Sequence, residues 1–298
     1  MKLIFHKQKA IIRVFVIVFF SGFFLNLNAQ KLEGTLPNKI DTTYKKILDN
    51  ARYRVYYAME YVNDSTNVQL KSTGQTLLLI GSRYNAFLDY NSLRRDSVYD
   101  SFFTKKGATA MEVFSTVLPI ARQVKFAPII IKNYPQKDSC TFQREVVANE
   151  VYRYIFPVKI QWSLGKGEKE IMGYSCKNAS CSYCGRQYTA WYAPDIPISE
   201  GPYVFSGLPG LILSISDSRG HYSFTINGLK TINTYDPIYL PSNHVIEASR
   251  DQVRKMVRNT YEDPSLILKA LAGQGIEVTG DDSRAKIQSK PYNPIELE

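Results

Sequence analysis

The chain has 298 residues, of which 37 are Lys or Arg and 27 are Asp or Glu, giving a formal net charge of +10. This mild excess is spread over many segments, which favours an ordinary solvated surface and argues against a nucleic-acid groove. The 21 Tyr and 15 Phe residues suit strands with aromatic faces.

The first 29 residues have the layout of a secretory signal peptide. Basic side chains begin the chain, and an almost unbroken apolar run follows from residue 11 to residue 27. The basic side chains are Lys2, Lys7, Lys9 and Arg13. Small Ala29 precedes Gln30, so we expect cleavage between them. The sequence therefore predicts a signal peptide at residues 1–29 and one exported domain at residues 30–298.

The predicted mature protein has no obvious attachment to a membrane. No cysteine lies near Gln30 to carry a lipid, so we expect a periplasmic protein without a stable membrane span. The alternative is a retained N-terminal anchor, because the apolar run is at the short end of the length that a spanning helix needs.

Strand patterns dominate the chain after residue 50. Side chains alternate from Arg52 to Tyr61, which predicts a half-buried strand. Residues 77–80 and 84–88 predict a hairpin, although the first run is too uniformly apolar to assign its faces. Helical spacing returns between residues 96 and 123, where Gly107 and Pro119 interrupt it. Further strands are predicted at residues 126–131, 151–160, 170–176, 187–192, 211–216 and 222–226.

Two features complete the pattern. Residues 217–220 form a predicted hairpin turn between the last two strands. Ser249 and Gln252 make a capping box for an amphipathic helix, and a second short helix is predicted from Pro264 to Gly273.

Consecutive short strands favour an antiparallel meander, so the predicted fold is mainly β with helices, of the α+β class. A half-open barrel resembling the periplasmic lipoprotein-carrier fold is the expected architecture. A closed sandwich is the alternative, because both folds require the same alternation.

One segment resembles a known family. Its signature residues are Gly207, Leu208, Pro209, Gly210, Leu211 and Ile212, which spell GLPGLI. The residues around it match as well, including Tyr174, Cys176, Gly185, Arg186, Trp191, Pro202, and the closing run Tyr292, Asn293, Pro294 and Ile295. From about residue 52 onward the chain is similar to the GLPGLI family of exported Bacteroidota proteins. The resemblance implies no established reaction, and Cys181 and Cys184 depart from the expected pattern.

The signature predicts a turn that leads into a strand. Gly207 and Gly210 allow backbone angles closed to other residues, and Pro209 fixes one φ. None of these residue types can transfer a proton or hold a metal. A binding role is the alternative, since backbone rich in glycine can approach a ligand closely. An apolar wall for that ligand would come from Trp191, Tyr192, Tyr203 and Phe205.

The four cysteines are Cys140, Cys176, Cys181 and Cys184. An even number in an exported chain predicts two disulfides, with three possible pairings. A bridge within residues 176–184 would staple the hairpin that this segment is expected to cap. The alternative is a redox or metal site on the C-x-x-C pair, for which only His221 and His244 could complete a zinc site in the mature chain.

Sequence templates for enzymes are missing. The chain has no G-x-S-x-G elbow, H-E-x-x-H helix or P-loop. Asp217 and His221 flank the predicted turn, and Asp195 and Glu200 lie in a Pro-rich loop, so all four are expected to be solvated surface residues.

We therefore expect a non-enzymatic periplasmic binding or envelope accessory protein, with no cofactor and no bound metal. Its partner would be an apolar ligand or an envelope protein. A thiol-dependent redox or metal-binding protein that uses the C-x-x-C pair is the alternative function.

Overall fold

The computed structural model describes residues 31–33, 44–104, 108–147, 150–242, 244–267, 269, 277–279, 289 and 291–298. The predicted signal peptide and its cleavage site lie outside these residues. Of the helix predicted after Pro264, residues 265–267 are helical and most of the remainder lies outside the described part. Within the described ranges, no helix combines the length and apolar character needed to cross a membrane.

The strands and helices alternate unevenly along the chain. In order they are β1 (Lys31–Glu33), β2 (Lys45–Asn50), β3 (Tyr53–Val62), β4 (Lys71–Ile80), β5 (Asn85–Asp89), α1 (Tyr90–Thr104), α2 (Ala110–Ala121), β6 (Ile129–Lys132), β7 (Ser139–Val147), β8 (Glu150–Pro157), β9 (Ser163–Ile171), β10 (Tyr174–Tyr183), β11 (Arg186–Ala193), β12 (Leu211–Asp217), β13 (Tyr222–Thr231), β14 (Pro237–Pro241), β15 (Val245–Glu247), α3 (Arg250–Glu262) and β16 (Glu277–Thr279).

Twelve strands form one sheet in the order β15-β8-β7-β6-β5-β4-β3-β13-β12-β11-β10-β9. Its neighbouring strands pair antiparallel, except for the parallel pair of β15 and β8. Two smaller sheets pair β1 with β16 and β14 with β2. The mainly β fold with helices that the sequence predicts is therefore confirmed.

The large sheet curls but does not close, since β15 and β9 remain its two edges. Strands β7 and β10 are eight places apart in the strand order, which in a flat sheet would separate them by roughly 38 Å. Yet the ring of Tyr203 lies 6.4 Å from Phe142 in β7 and 6.3 Å from Tyr183 in β10. The sheet therefore bends around the loop that carries Tyr203.

Apolar side chains fill both faces of the central strands. The larger cluster lies on the concave face and includes Tyr57, Phe87 and Phe224. A smaller cluster on the other face contains Leu77 and Leu79, below α1 and β14. Burial on both faces explains why the β4 residues 77–80 show no alternation.

Most predicted strands are present, with one exception. The strand predicted at residues 170–176 is instead the hairpin between β9 and β10, because Met172 and Gly173 both have positive φ, at 52° and 80°. Such angles match the turns that join antiparallel strands. Strand β7 is among the strands that were not predicted. Polar and apolar residues alternate from Ser139 to Gln143, but its polar residues Ser139, Thr141 and Gln143 are buried as well.

The helical signals agree better with the structure. The interrupted pattern at residues 96–123 corresponds to α1 and α2, and Pro119 lies inside α2 near its end. The capping box of Ser249 and Gln252 is present at the start of α3, so that prediction is confirmed. Helix α3 buries Val253 and Val257 against the sheet.

We predict that Leu211→Ala lowers the free energy of unfolding by about 2–5 kcal/mol, because Leu211 is fully buried at the start of β12 and its removal leaves a cavity. Leu164→Ala is the matched control, since Leu164 is 65% exposed on β9 and should change stability by less than about 0.5 kcal/mol. Urea unfolding followed by circular dichroism measures both. Equal losses would show that Leu211 does not lie in the core.

Candidate functional site

The signature segment forms the turn before β12. Gly207 and Gly210 have φ values of 95° and 147°, in the region that favours glycine. A Cβ atom at Gly210 would lie 2.2 Å from the backbone oxygen of Ala193. Leu208, Leu211 and Ile212 are buried, whereas Pro209 is exposed. The geometry is therefore that of a tight turn packed against the end of β11.

A buried lysine fastens the loop that precedes this turn. Lys132 is 2% exposed, and its Nζ donates hydrogen bonds to the backbone oxygens of Gly201 at 3.0 Å and Phe205 at 2.8 Å. The same Nζ lies 2.7 Å from Oε2 of Glu200, so the two side chains form an ion pair. The angles of this contact are not those of a hydrogen bond. Asn85 Nδ2 donates to Oε1 of Glu200 at 2.8 Å.

Glu200 is thus not the solvated surface residue that the sequence predicts. Its carboxylate compensates the charge of Lys132, which would be costly to leave buried alone. Asp195, in contrast, is exposed as expected. The two carboxylates do not form a catalytic pair, because Glu200 is committed to Lys132 and Asn85.

The four predicted wall residues do not form one wall. Trp191 and Tyr192 are neighbours in β11 and point to opposite faces of the sheet. Trp191 is partly exposed, with Lys169 Nζ 4.6 Å from its ring centre. Tyr192, Tyr203 and Phe205 are buried, and the rings of the last two lie 6.0 Å apart. Of the four, Tyr203 alone borders the cavity described next.

A cavity of about 150 Å³ lies between the concave face of the sheet, α3 and the C-terminal segment, which we define as residues 291–298. The sheet and its loops contribute Met59, Tyr61, Asn63, Lys125, Phe126, Ala127, Pro128, Phe142, Arg144, Tyr154, Tyr203 and Tyr222. Helix α3 and the C-terminal segment contribute Val253, Arg254, Val257, Tyr261, Tyr292, Asn293, Pro294, Ile295 and Glu296.

Glu296 links three elements around this cavity. Its Oε1 accepts hydrogen bonds from the hydroxyls of Tyr203 at 2.5 Å and Tyr183 at 3.3 Å. Its Oε2 accepts two from Arg250 of α3, at 2.9 and 3.1 Å. Burial, followed by the charge of Glu296, raises the pKa of Tyr203 well above its ordinary value. Tyr203 therefore stays a neutral donor to Glu296.

A second buried network holds the C-terminal segment on the sheet. Arg186 Nη1 donates to Asp217 Oδ2 at 2.9 Å, and its Nη2 donates to Asn293 Oδ1 at 2.8 Å. Arg186 also donates to the backbone oxygens of Pro294 and Ile295. His221 Nδ1 lies 3.3 Å from Arg186 Nη1.

The prediction that Asp217 and His221 are solvated turn residues is therefore wrong. Asp217 is 4% exposed and His221 8% exposed, because the C-terminal segment covers their side of the hairpin. The turn itself is present, with Gly220 at a φ of 66°. The local sequence predicts the turn correctly but contains no sign of the distant segment that covers it.

The cysteines do not form the predicted disulfides in the described structure, where Cys140, Cys176, Cys181 and Cys184 are all free. Residues 176–183 belong to β10, not to a loop that caps a hairpin. In an extended strand Cys176 and Cys181 are roughly 16 Å apart, beyond the reach of a disulfide. Strand geometry thus rules out the Cys176–Cys181 staple.

The thiols are also poorly suited to redox or metal chemistry. Burial raises the pKa of Cys181 and of Cys140 to about 12. Burial and then Glu296 raise the pKa of Cys184 above its ordinary value. In the described ranges no group of three or more His, Cys, Asp or Glu residues is arranged to hold a metal ion. A reactive thiolate needs the opposite pKa shift.

Sequence reasoning missed most residues that border the cavity. Lys125, Arg144, Arg254 and Glu296 come from four separate segments, so no local spacing connects them. Two sequence features did point to parts of the cavity wall, namely the apolar stripe of α3 and the closing run at residues 292–295. The sequence does not show that these two segments lie side by side, because the fold determines it.

Comparisons with known proteins leave the function open. A protein-family model described as "Protein of unknown function (Porph_ging)" matches residues 184–214, which include the signature. No curated protein matches the chain. A solved structure of PNGF-II in the P21 space group is 14% identical, with a TM-score of 0.46, and the alignment covers 70% of this chain and 33% of that one. A second, in the C2 space group, is 12% identical with the same TM-score and coverage. The chain thus corresponds to about a third of the PNGF-II chain.

We predict that Gly210→Ala lowers the free energy of unfolding by more than about 3 kcal/mol, because a strained φ adds to the clash with Ala193. Gly220→Ala is the control. Gly220 also has a positive φ, but no atom lies within 4 Å of a Cβ placed there, so its cost should stay near 1–2 kcal/mol. Chemical denaturation measures both values. Similar losses would contradict the close approach at Gly210.

We also predict the order in which the thiols react with iodoacetamide. Cys184 should react first, because the other three cysteines are buried. Its reaction should be slower at pH 8 than that of a free thiol, since a raised pKa leaves less thiolate. Mass spectrometry of the native protein measures the order, and full labelling after unfolding is the control. Cysteines that remain unlabelled in unfolded, unreduced protein would reveal disulfides.

Proposed function

We propose that the chain is an exported, periplasmic protein of the GLPGLI family that binds a small ligand and catalyses no reaction. The cavity below α3 is its binding site. The observation that carries this proposal is the combination of an open volume of about 150 Å³ with aromatic walls and a few charged groups. Ligand sites commonly combine apolar and aromatic walls with polar groups that orient the ligand.

The size of the cavity supports a ligand rather than a packing defect. The cavity is partly open to solvent, so a small molecule can reach it. A volume near 150 Å³ holds one aromatic ring in an engineered protein cavity. Five tyrosines besides Tyr203 border the space, and their ring faces and hydroxyls offer both apolar and hydrogen-bonding contacts.

The surroundings of the cavity support binding without chemistry. Among the described lining residues the one carboxylate is that of Glu296, and its oxygens already accept hydrogen bonds from Arg250 and two tyrosines. Burial raises the pKa of the Tyr154 phenol, and the charge of Glu296 raises it further. A neutral phenol can orient a ligand but is a weak nucleophile.

The alternative thiol function has less support. It requires a thiolate at the C-x-x-C pair, whereas burial raises the pKa of Cys181 to about 12. An envelope protein as the partner remains compatible with the same cavity, which would then hold one of its side chains.

The proposed function is tested by filling the cavity. We expect Ala127→Leu to abolish the binding of one-ring compounds, because Ala127 borders the space and three added carbons would occupy much of it. Ala108→Leu, the same change at a partly exposed residue away from the cavity, should leave binding unchanged. Saturation-transfer NMR with a panel of one-ring compounds measures the effect.

Native mass spectrometry of protein purified from its own envelope provides a second measurement. A bound species that is lost in Ala127→Leu and kept in Ala108→Leu would support the proposal. If both variants bind the panel as the parent does, the ligand lies elsewhere and the proposed site is wrong.

A further inference from the structure

The C-terminal segment lies on the concave face without joining the sheet as a strand. Among the described residues, one backbone-to-backbone hydrogen bond connects it to another element, from the nitrogen of Leu297 to the oxygen of Cys184 at 2.9 Å. The other hydrogen bonds that hold it involve side chains, as in a bound peptide. We call the surface beneath it the C-terminal groove and define it by six residues that contact the segment: Val62, Tyr183, Arg186, Tyr203, Tyr222 and Arg250.

Side chains of the C-terminal groove hold the segment by its backbone. The hydroxyl of Tyr222 donates to the backbone oxygen of Asn293 at 2.6 Å. Arg186 donates to the backbone oxygens of Pro294 at 2.6 Å and of Ile295 at 3.1 Å. Because every residue has such an oxygen, these bonds hold a peptide backbone whatever its side chains are.

Two side chains of the segment add selectivity. Asn293 is buried, and its Nδ2 donates to the backbone oxygen of Val62 at 2.6 Å while its Oδ1 accepts from Arg186 at 2.8 Å. Glu296 is also buried and accepts the hydrogen bonds from two tyrosines and Arg250 described above. Removing either side chain would leave buried groups of the groove without a partner, which is costly. The C-terminal groove therefore selects an asparagine followed three positions later by a glutamate.

The charges of the segment and of the groove are complementary. Residues 291–298 contain two Glu and neither Lys nor Arg. Helix α3 faces them with Arg250, which pairs with Glu296 at 2.9 Å, and with Arg254, whose Nη2 donates to the backbone oxygen of Glu296 at 3.3 Å. Complementary charge speeds the encounter of two partners and discriminates against wrong ones. The groove therefore favours an acidic peptide.

The attachment of the segment determines what a partner has to overcome. Residues 280–290 join the segment to β16, so the segment is a tethered occupant of its own groove. Tethered ligands commonly act at effective concentrations on the order of 1 mM. A partner in solution therefore has to displace the segment, and it binds more tightly when the hold of the groove on the segment is weakened.

From these contacts we infer that the C-terminal groove is a peptide-binding site for a second, different protein. That partner supplies an acidic segment with the pattern Asn-x-x-Glu, which replaces the C-terminal segment and forms the same hydrogen bonds. A second copy of this chain gains nothing by the exchange, because its own segment already has these bonds. The inference goes beyond the proposed ligand, since it depends on the groove and not on the open volume of the cavity.

The experiment uses the whole protein and a fluorescent peptide with the sequence of residues 291–298. Glu296→Gln and Glu298→Gln each remove one acid from the segment, but Glu296 is buried whereas Glu298 is exposed. In the protein, Glu296→Gln weakens the tethered segment, so we expect this variant to bind the peptide at least tenfold more tightly than the parent protein does. Glu298→Gln should bind the peptide as the parent does. Fluorescence anisotropy measures these affinities.

In the peptide, the same changes should act in the opposite direction. The Glu296→Gln peptide should bind the Glu296→Gln protein at least tenfold more weakly than the parent peptide does, and the Glu298→Gln peptide should bind normally. A role of Glu296 in folding alone predicts no such reversal. Circular dichroism shows whether each variant is folded, and Asn293→Ala in protein and peptide replaces Glu296→Gln if that variant is not. At millimolar peptide concentrations the parent protein should rank the peptides in the same order.

The inference is overturned if the folded variants bind no peptide, or if the Glu296→Gln peptide binds as tightly as the parent peptide. It is also overturned if the parent protein sediments as a dimer that the peptide dissociates, because the partner is then a second copy. If neither variant folds, the ranking of the peptides by the parent protein decides. The proposed function is judged separately, by the one-ring compounds and Ala127→Leu, so either result can fail without the other.

Discussion

The carboxylate of Glu296 joins parts of the chain that the sheet alone would leave separate. It receives hydrogen bonds from Tyr183 in β10 and from Tyr203 in the signature loop, and it pairs with Arg250 in α3. A buried charge needs such partners to offset its loss of water. The position of each partner therefore constrains the positions of the others. The curl of the sheet, the position of α3 and the walls of the cavity depend on the same few bonds.

The same dependence explains how the signature contributes to the site. Gly207 and Gly210 shape a turn, and neither is among the residues that border the cavity. The turn lets the preceding loop insert Tyr203 and Phe205 into the concave face, where Lys132 fastens the loop through the oxygens of Gly201 and Phe205. The signature thus acts on the cavity indirectly, through Tyr203.

Local patterns were sufficient to predict much of the fold. Alternation identified β3, β11, β12 and β13, and the pair of Ser249 and Gln252 identified the start of α3. Prediction failed where burial depends on distant segments. Both faces of β4 are covered, so the sequence of residues 77–80 does not show which side chains face the core. The polar residues of β7 are buried against other elements. The turn at residues 172 and 173 was missed because Met172 is not a residue that favours a positive φ.

The site was harder to predict for the same reason. The sequence around Asp217 and His221 is that of a turn. Both residues are buried beside Arg186 because residues 293–295 pack over them. In the sequence Glu200 likewise has the pattern of an ordinary acidic residue in a loop. Only the fold places Lys132, some seventy positions earlier, next to it. Arg144 and Arg254 lie more than a hundred positions apart in the chain. No spacing rule relates such pairs, because their proximity follows from the packing of elements that are distant in the chain.

Strand β9 is an exposed edge of the open sheet. The composition of this strand affects how the protein behaves at high concentration. Free strand edges tend to pair with those of other molecules, which leads to aggregation. Strand β9 is exposed along most of its length and carries Lys166, Glu168, Lys169 and Glu170 with two glycines. A second strand would have to strip water from these charges to dock there. At the opposite edge, β15 has only three residues. Both margins therefore discourage self-association and help the protein to remain dispersed at high concentration.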